Sequence, residues 1–195
     1  MFFSMKTRSL VRDGLLTALF LGLVWLAADR IGGQGGTTLS GAPRVVDGDT
    51  LAIGGNRIRL LGIDAPERAQ TCERDGETWD CGQEARRHLA RLIGRSPVDC
   101  KGRADDRYGR RLSVCVTGRE NINARMVADG FAVAFGDYTA EEADARTRQA
   151  GLWAGTFDRP REWRARHGGM AETPHIDTDW IKALLRRIET AWISR

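Results

Sequence analysis

Hydrophobic residues along this chain follow several spacings in turn, and each predicts a different element. From Gly14 to Ala28 (GLLTALFLGLVWLAA) the run is uncharged and apolar on every helical face. Lys6, Arg8 and Arg12 precede it, the arrangement of an export signal whose basic end stays in the cytoplasm. Fifteen residues at about 1.5 Å each reach roughly 22 Å, short of a hydrocarbon core of ~30 Å. That length favours a cleaved signal peptide. Leu26 stands where an A-x-A cleavage site needs a small residue, which favours a retained anchor, so both fates fit. Gly32–Gly41 (GGQGGTTLSG) is uncharged and glycine-rich, the composition of a flexible linker, and the folded part is expected from about Ala42.

Short apolar segments then alternate with turn residues. Arg44–Val46, Thr50–Ile53 and Arg57–Ile63 read as strands, with a turn at Gly54-Gly55-Asn56. Cys72–Cys81 is polar and reads as a surface loop. The period lengthens at Gln83–Ile93, where Ala85, Leu89, Leu92 and Ile93 share one helical face. Pro97–Lys101 and Arg111–Val116 predict a hairpin around Ala104–Gly109. A short helix is expected over Ile122–Asp129, stopped by Gly130. A longer one is expected from Thr139, where Thr139 and Glu142 match a capping box, to Gly151. Another linker, Gly168–Pro174, leads to an amphipathic helix over Asp177–Ser194. The expected organisation is a basic segment at 1–13, the apolar run at 14–28 and a linker at 29–41. An α+β domain at 42–167 follows, then a linker and helix at 168–195.

Composition narrows this little. The chain has 195 residues, 42% of them hydrophobic and 29% charged, with a net charge of +4; this excludes a polytopic membrane protein, a disordered chain and a histone-like polycation. Arginine outnumbers lysine 27 to 3, which codon bias explains as readily as phosphate binding. Cys72, Cys81, Cys100 and Cys115 form an even set without a C-x-x-C pair or histidines at zinc spacing. Three pairings exist in principle. The hairpin favours Cys100–Cys115, because pairs whose numbers sum to 215 face each other, Asp105 with Arg110 among them, and this leaves Cys72–Cys81. Disulfides imply an oxidising compartment. His88, His167 and His175 match no catalytic arrangement, and Trp153 and Trp163 read as packing anchors.

Three clusters carry chemistry: Asp47-Gly48-Asp49-Thr50, Arg59-Leu60-Leu61-Gly62-Ile63-Asp64-Ala65-Pro66-Glu67, and Asp106-Arg107-Tyr108-Gly109-Arg110. Strand alternation puts Arg59 on a face with Leu61 and Ile63, a costly position unless the guanidinium meets an anion. In order and spacing, and with Asn123-Ala124 and Gly151-Leu152-Trp153 further on, these clusters resemble the thermonuclease (staphylococcal nuclease-like) family from about Arg44 to Trp153. The resemblance implies a five-stranded OB-fold β-barrel carrying three helices, and a Ca²⁺-dependent endonuclease hydrolysing DNA and RNA. It implies Asp49 and Asp64 as calcium ligands with the backbone carbonyl of Ala65, and Asp47 holding a water on the ion. Glu67 is then the general base, Arg59 and Arg110 clamp the phosphate, and Arg107 and Tyr108 bind a terminal phosphate. Tyr138, or Phe135 in its place, is the ring expected to stack on a base.

Hard oxygen donors suit Ca²⁺, and paired guanidinium forks suit a phosphorane. Rival readings are an OB-type nucleic-acid-binding module without catalysis and a membrane-tethered adaptor acting through the C-terminal helix. The expected location is exported: inner-membrane-anchored and facing the periplasm, or secreted after cleavage. The expected partners are single-stranded or locally opened DNA and RNA, with the membrane if the N-terminal helix is retained, and no obligate protein partner.

Overall fold

A computed structural model describes residues 16–23 and 37–168. The chain divides into two units, 1–36 and 37–195. In the first, residues 16–23 are helical, and among the described residues no helix is long and apolar enough to cross a membrane. The expected helix over Asp177–Ser194 lies outside the described residues.

The second unit is built on one curled sheet. Its strands are β1 (Thr37–Gly41), β2 (Arg44–Val45), β3 (Thr50–Ile53), β4 (Asn56–Leu60), β8 (Val98–Asp105), β9 (Arg111–Thr117) and β10 (Glu120–Asn121). Hydrogen bonding runs β1–β8–β9–β4–β3–β2, with β10 added on β9. The two ends of that path, β1 and β2, are consecutive in the chain and separated only by Ala42-Pro43. Taken as one bent strand they return the sheet upon itself, which is the five-stranded OB arrangement with a parallel β4–β9 pair. Residues 37–41, expected as the end of a linker, are therefore the first strand: Leu39 lies opposite Cys100 and Gly41 opposite Val98. Lack of charge and abundant glycine describe this edge as well as they describe a linker, and only the pairing with β8 separates the two.

Among the described residues of this unit four helices accompany the sheet: α1 (Cys81–Ile93), α2 (Ile122–Ala128), α3 (Thr139–Thr147) and α4 (Pro160–Arg166). The buried stripe of α1, Ala85, Leu89 and Ile93, meets Leu51, Ile58, Leu60, Ile122 and Met126 in a single core. Each such side chain, once buried, contributes roughly 1.5–3 kcal/mol. The helix from Thr139 ends at Thr147, and Gly151–Ala154 forms a separate 3-10 turn. Its capping box does not close. Tyr138 occupies the cap position in the left-handed region, and Glu142 turns inward to accept from the Ala134 N–H (2.6 Å) and from Arg159 (2.7 Å). Helix α4 has no counterpart among the expected elements.

Two small sheets complete the domain. β5 (Ile63–Asp64) pairs with β11 (Val133–Ala134), and β6 (Cys72–Arg74) pairs with β7 (Glu77–Trp79). The presumed surface loop between Cys72 and Cys81 is thus a hairpin, and its Cys72–Cys81 disulfide is buried. Cys100 and Cys115 are bonded across β8 and β9 at directly opposed positions. Beyond Gly102 a bulge shifts the register, so Asp105 faces Arg111 rather than Arg110.

Candidate active site

Arg57–Ile63 is not one strand. It breaks at Leu61-Gly62, where Gly62 has φ +79° and lies close against the ring of Tyr138. Arg59, at the end of β4, and Asp64, on β5, are thereby released from strict alternation and both turn inward, 6% and 1% exposed. Asn123 fixes the break: buried at the start of α2, it donates to the carbonyls of Leu61 (2.9 Å) and Ser113 (3.1 Å) and accepts from the Cys115 N–H (3.0 Å). Asp49 enters from the bend before β3, where its own carbonyl accepts from the Leu60 N–H at 2.8 Å. The parallel β4–β9 pair sets Arg59 beside Leu112, which brings the turn carrying Arg110 to the same end of the barrel.

The guanidinium of Arg59 spans the two aspartates, with Nη1 3.0 Å from Asp49 Oδ1 and Nη2 2.9 Å from Asp64 Oδ1. Asp49 also accepts from Thr50 Oγ1 (3.1 Å) and the Ala65 N–H (3.2 Å), and Asp47 accepts from the Asp49 N–H at 3.2 Å. Burial, and then the neighbouring Asp49 carboxylate, push Asp47 up to about 7. Burial likewise raises Asp64, against the pull of Arg164 and Arg59. Four carboxylates, Asp47, Asp49, Asp64 and Glu67, thus meet four guanidinium groups here, those of Arg57, Arg59, Arg110 and Arg164.

Glu67 sits on the turn after Pro66, its N–H donating to Gln70 Oε1 at 3.2 Å. The turn lies on the first residues of α1 so closely that a Cβ on Gly82 would stand 1.7 Å from the Glu67 carbonyl oxygen. Arg110 is aimed by Asp106, which accepts from its Nε at 2.6 Å and from its N–H at 2.9 Å. Burial opposes ionisation of Asp106, but the bonds from Arg110 and the Tyr108 N–H outweigh it and hold the carboxyl below its ordinary range. Tyr108 lies 5.1 Å under Arg110 and 5.6 Å under Arg107, and is 44% exposed.

These groups line one cleft of about 240 Å³, formed by Asp47, Asp49, Arg57, Arg59, Ala65, Pro66, Glu67, Tyr108, Arg110 and Arg164. A larger cavity of about 580 Å³, beside Trp79 and Phe131, is lined by other charged groups, Asp75, Glu77, Asp80 and Glu84 with Arg74 and Arg87, and by none of the site residues expected from the sequence. Arg107 and Tyr138 do not line the cleft. Tyr138 packs on the core with its hydroxyl 3.4 Å from Asn121 Nδ2, and Phe135 is buried.

Asp106 stood in the third cluster without a role, an aspartate opening a glycine-containing turn; Arg57 and Arg164 line the cleft without having been singled out. Arg164 had no local signal. It arrives on α4 with Nη1 3.0 Å from Asp64 Oδ1 and 2.8 Å from Glu67 Oε1, and Nη2 3.1 Å from Asp64 Oδ2.

The donors suit a hard divalent cation. They are all oxygens, of carboxylates and main chain, the hard donors such an ion prefers. Among the described residues no three His, Cys, Asp or Glu side chains form a metal-holding group.

The family described as "Staphylococcal nuclease homologue" matches residues 57–155. The chain is 35% identical over 143 residues to a micrococcal nuclease of Shigella flexneri, covering 62% of this chain and 77% of that one. It is 32% identical over 133 residues to an uncharacterized endonuclease of Haemophilus influenzae, covering 62% and 70%. To the succinoglycan biosynthesis protein ExoI of Rhizobium meliloti it is 33% identical over 121 residues, spanning 58% of this chain and 63% of the relative.

Proposed function

This chain belongs to the staphylococcal nuclease homologue family, and from that premise we propose that it is an exported, Ca²⁺-dependent endonuclease hydrolysing DNA and RNA with little sequence preference. The observation that carries the reading is the meeting of Asp49 and Asp64 on Arg59, and of Asp64 and Glu67 on Arg164, beside a cleft lined by Asp49, Arg59, Glu67 and Arg110. A surface that only bound nucleic acid has no use for buried aspartates, which repel the phosphate they face. Both disulfides agree with an oxidising, extracytoplasmic setting.

Asp49, Asp64 and the Ala65 carbonyl are the groups to hold Ca²⁺, with Asp47 behind them. The ion supplies Lewis acidity at a phosphoryl oxygen. Glu67, at the mouth of the cleft with its side chain 37% exposed, accepts the proton of the attacking water at a carboxylate oxygen. Arg59 and Arg110, each already oriented by a carboxylate, present fixed donors to the phosphate as its charge grows. Tyr108 and Arg107, on the turn beside Arg110, extend the phosphate-binding surface, and half-buried Tyr138, beside Gly62, is the ring to stack on a base.

The test is digestion of single-stranded DNA and RNA by the disulfide-bonded protein, with Ca²⁺ or with a calcium chelator, beside Glu67→Gln. Cleavage that needs both the ion and Glu67, lost by about 10²-fold or more in the folded variant, is expected. Binding without cleavage under every condition would overturn it.

A further inference from the structure

Helix α4 lies beyond the span matched by the family, yet its Arg164 is seated in the acidic heart of the cleft, the side chain 12% exposed. The placement is built rather than incidental. Residues leading into α4 are tied to the loop that carries Glu67: Thr156 exchanges backbone hydrogen bonds with Glu73 at 2.9 Å in both directions, and Gln70, fully buried, donates to the Asp158 carbonyl at 2.7 Å while accepting from the Glu67 N–H. The Cys72–Cys81 disulfide closes the hairpin on which Glu73 lies.

Seated so, the guanidinium takes both carboxylate oxygens of Asp64 and one of Glu67. We propose that Arg164 is a chain-borne counter-ion at the cation site, holding Asp64 and Glu67 together until a divalent ion takes its place, so that α4 sets how tightly the site holds that ion. The inference rests on the calcium reading above. Asp64 Oδ1 already carries both Arg59 and Arg164, so a divalent ion added at contact distance beside two guanidinium groups meets strong repulsion, and a guanidinium already satisfied by two carboxylates yields them only at a cost in affinity. Arg59 does not play this part. It meets Asp64 at Oδ1 and is anchored on Asp49, whereas Arg164 covers both Asp64 oxygens.

Calcium affinity, measured calorimetrically with Ca²⁺ alone on the full protein, separates the possibilities. Arg164→Gln is expected to bind Ca²⁺ about tenfold or more tightly than the unaltered protein, at equal ionic strength. Equal or weaker binding in the variant overturns the inference and leaves the calcium reading intact; no binding by either protein overturns both. A second measurement needs no variant. Backbone amides of residues 161–166 should exchange hydrogen faster when the unaltered protein is saturated with Ca²⁺, as the contact that pins the helix is released, and unchanged exchange overturns the displacement.

Discussion

Asn123 shows how much one side chain can decide. Three hydrogen bonds from a fully buried amide hold the break after β4 against β9, and the break is what turns Arg59 and Asp64 into the same cleft. Asn123→Ala leaves two carbonyls and an N–H without that partner, so a loss of about 2–4 kcal/mol in urea unfolding is expected, with nuclease activity falling further than stability alone accounts for. His88 offers a prediction in pH. Its Nε2 is 2.8 Å from Asp129 and its ring stacks on Phe131 at 4.2 Å. Burial lowers its pKa from 6.5 against the pull of Asp129. The folded chain therefore binds fewer protons than the unfolded chain between the lowered value and 6.5, so this contribution is complete above that window and is lost as pH falls through it. Raised Asp47 and Asp64 act in the opposite sense over this range, so the effect is read as a difference: between pH 7 and pH 5 the urea midpoint of His88→Gln should gain on that of the unaltered protein, and parallel midpoints would refute the assignment.

At the scale of elements, α1 and the Glu67 turn are matched surfaces. Gly82 is required because anything beyond hydrogen collides with backbone, not with a side chain that could swing away. Gly82→Ala should therefore push the Glu67 turn off α1 and reduce turnover at least tenfold while the Cys100–Cys115 half of the molecule melts normally; unchanged turnover would show that the turn tolerates displacement. The β8–β9 hairpin carries the second disulfide across a separation of 15 residues, for which loop entropy predicts about 3 kcal/mol. Cys100→Ala with Cys115→Ala should lose a stability of that order in denaturant unfolding and retain activity at low temperature. Elements were legible where their signals are local. The stripe of α1 and the pairing of Cys100 with Cys115 follow from period and spacing. The capping box at Thr139 failed because buried Glu142 has stronger partners in Ala134 and Arg159, and the hairpin register beyond Gly102 shifted because a bulge leaves no periodic mark.

Across the whole molecule, the barrel depends on β1. A chain beginning at residue 42 removes all five partners of β8 from Thr37 to Gly41 and uncovers an edge of unpaired backbone; it should melt at least ~5 °C lower than one beginning at residue 37, and aggregate sooner. Contacts to substrate are expected to be mainly to phosphate, so affinity for single-stranded DNA, measured with Ca²⁺ replaced by a non-supporting cation, should fall steeply with salt. What the amino-acid order alone determined is what neighbours a few residues apart can encode: strand and helix periods, turn residues, the disulfide hairpin, and three clusters whose acids and arginines resemble a nuclease site. Closure of the barrel through Thr37–Gly41 and the arrival of Arg164 on Asp64 and Glu67, 100 and 97 residues away, were decided by tertiary structure. Contacts at that separation are set by how the chain packs back on itself, and no local pattern of polarity records them.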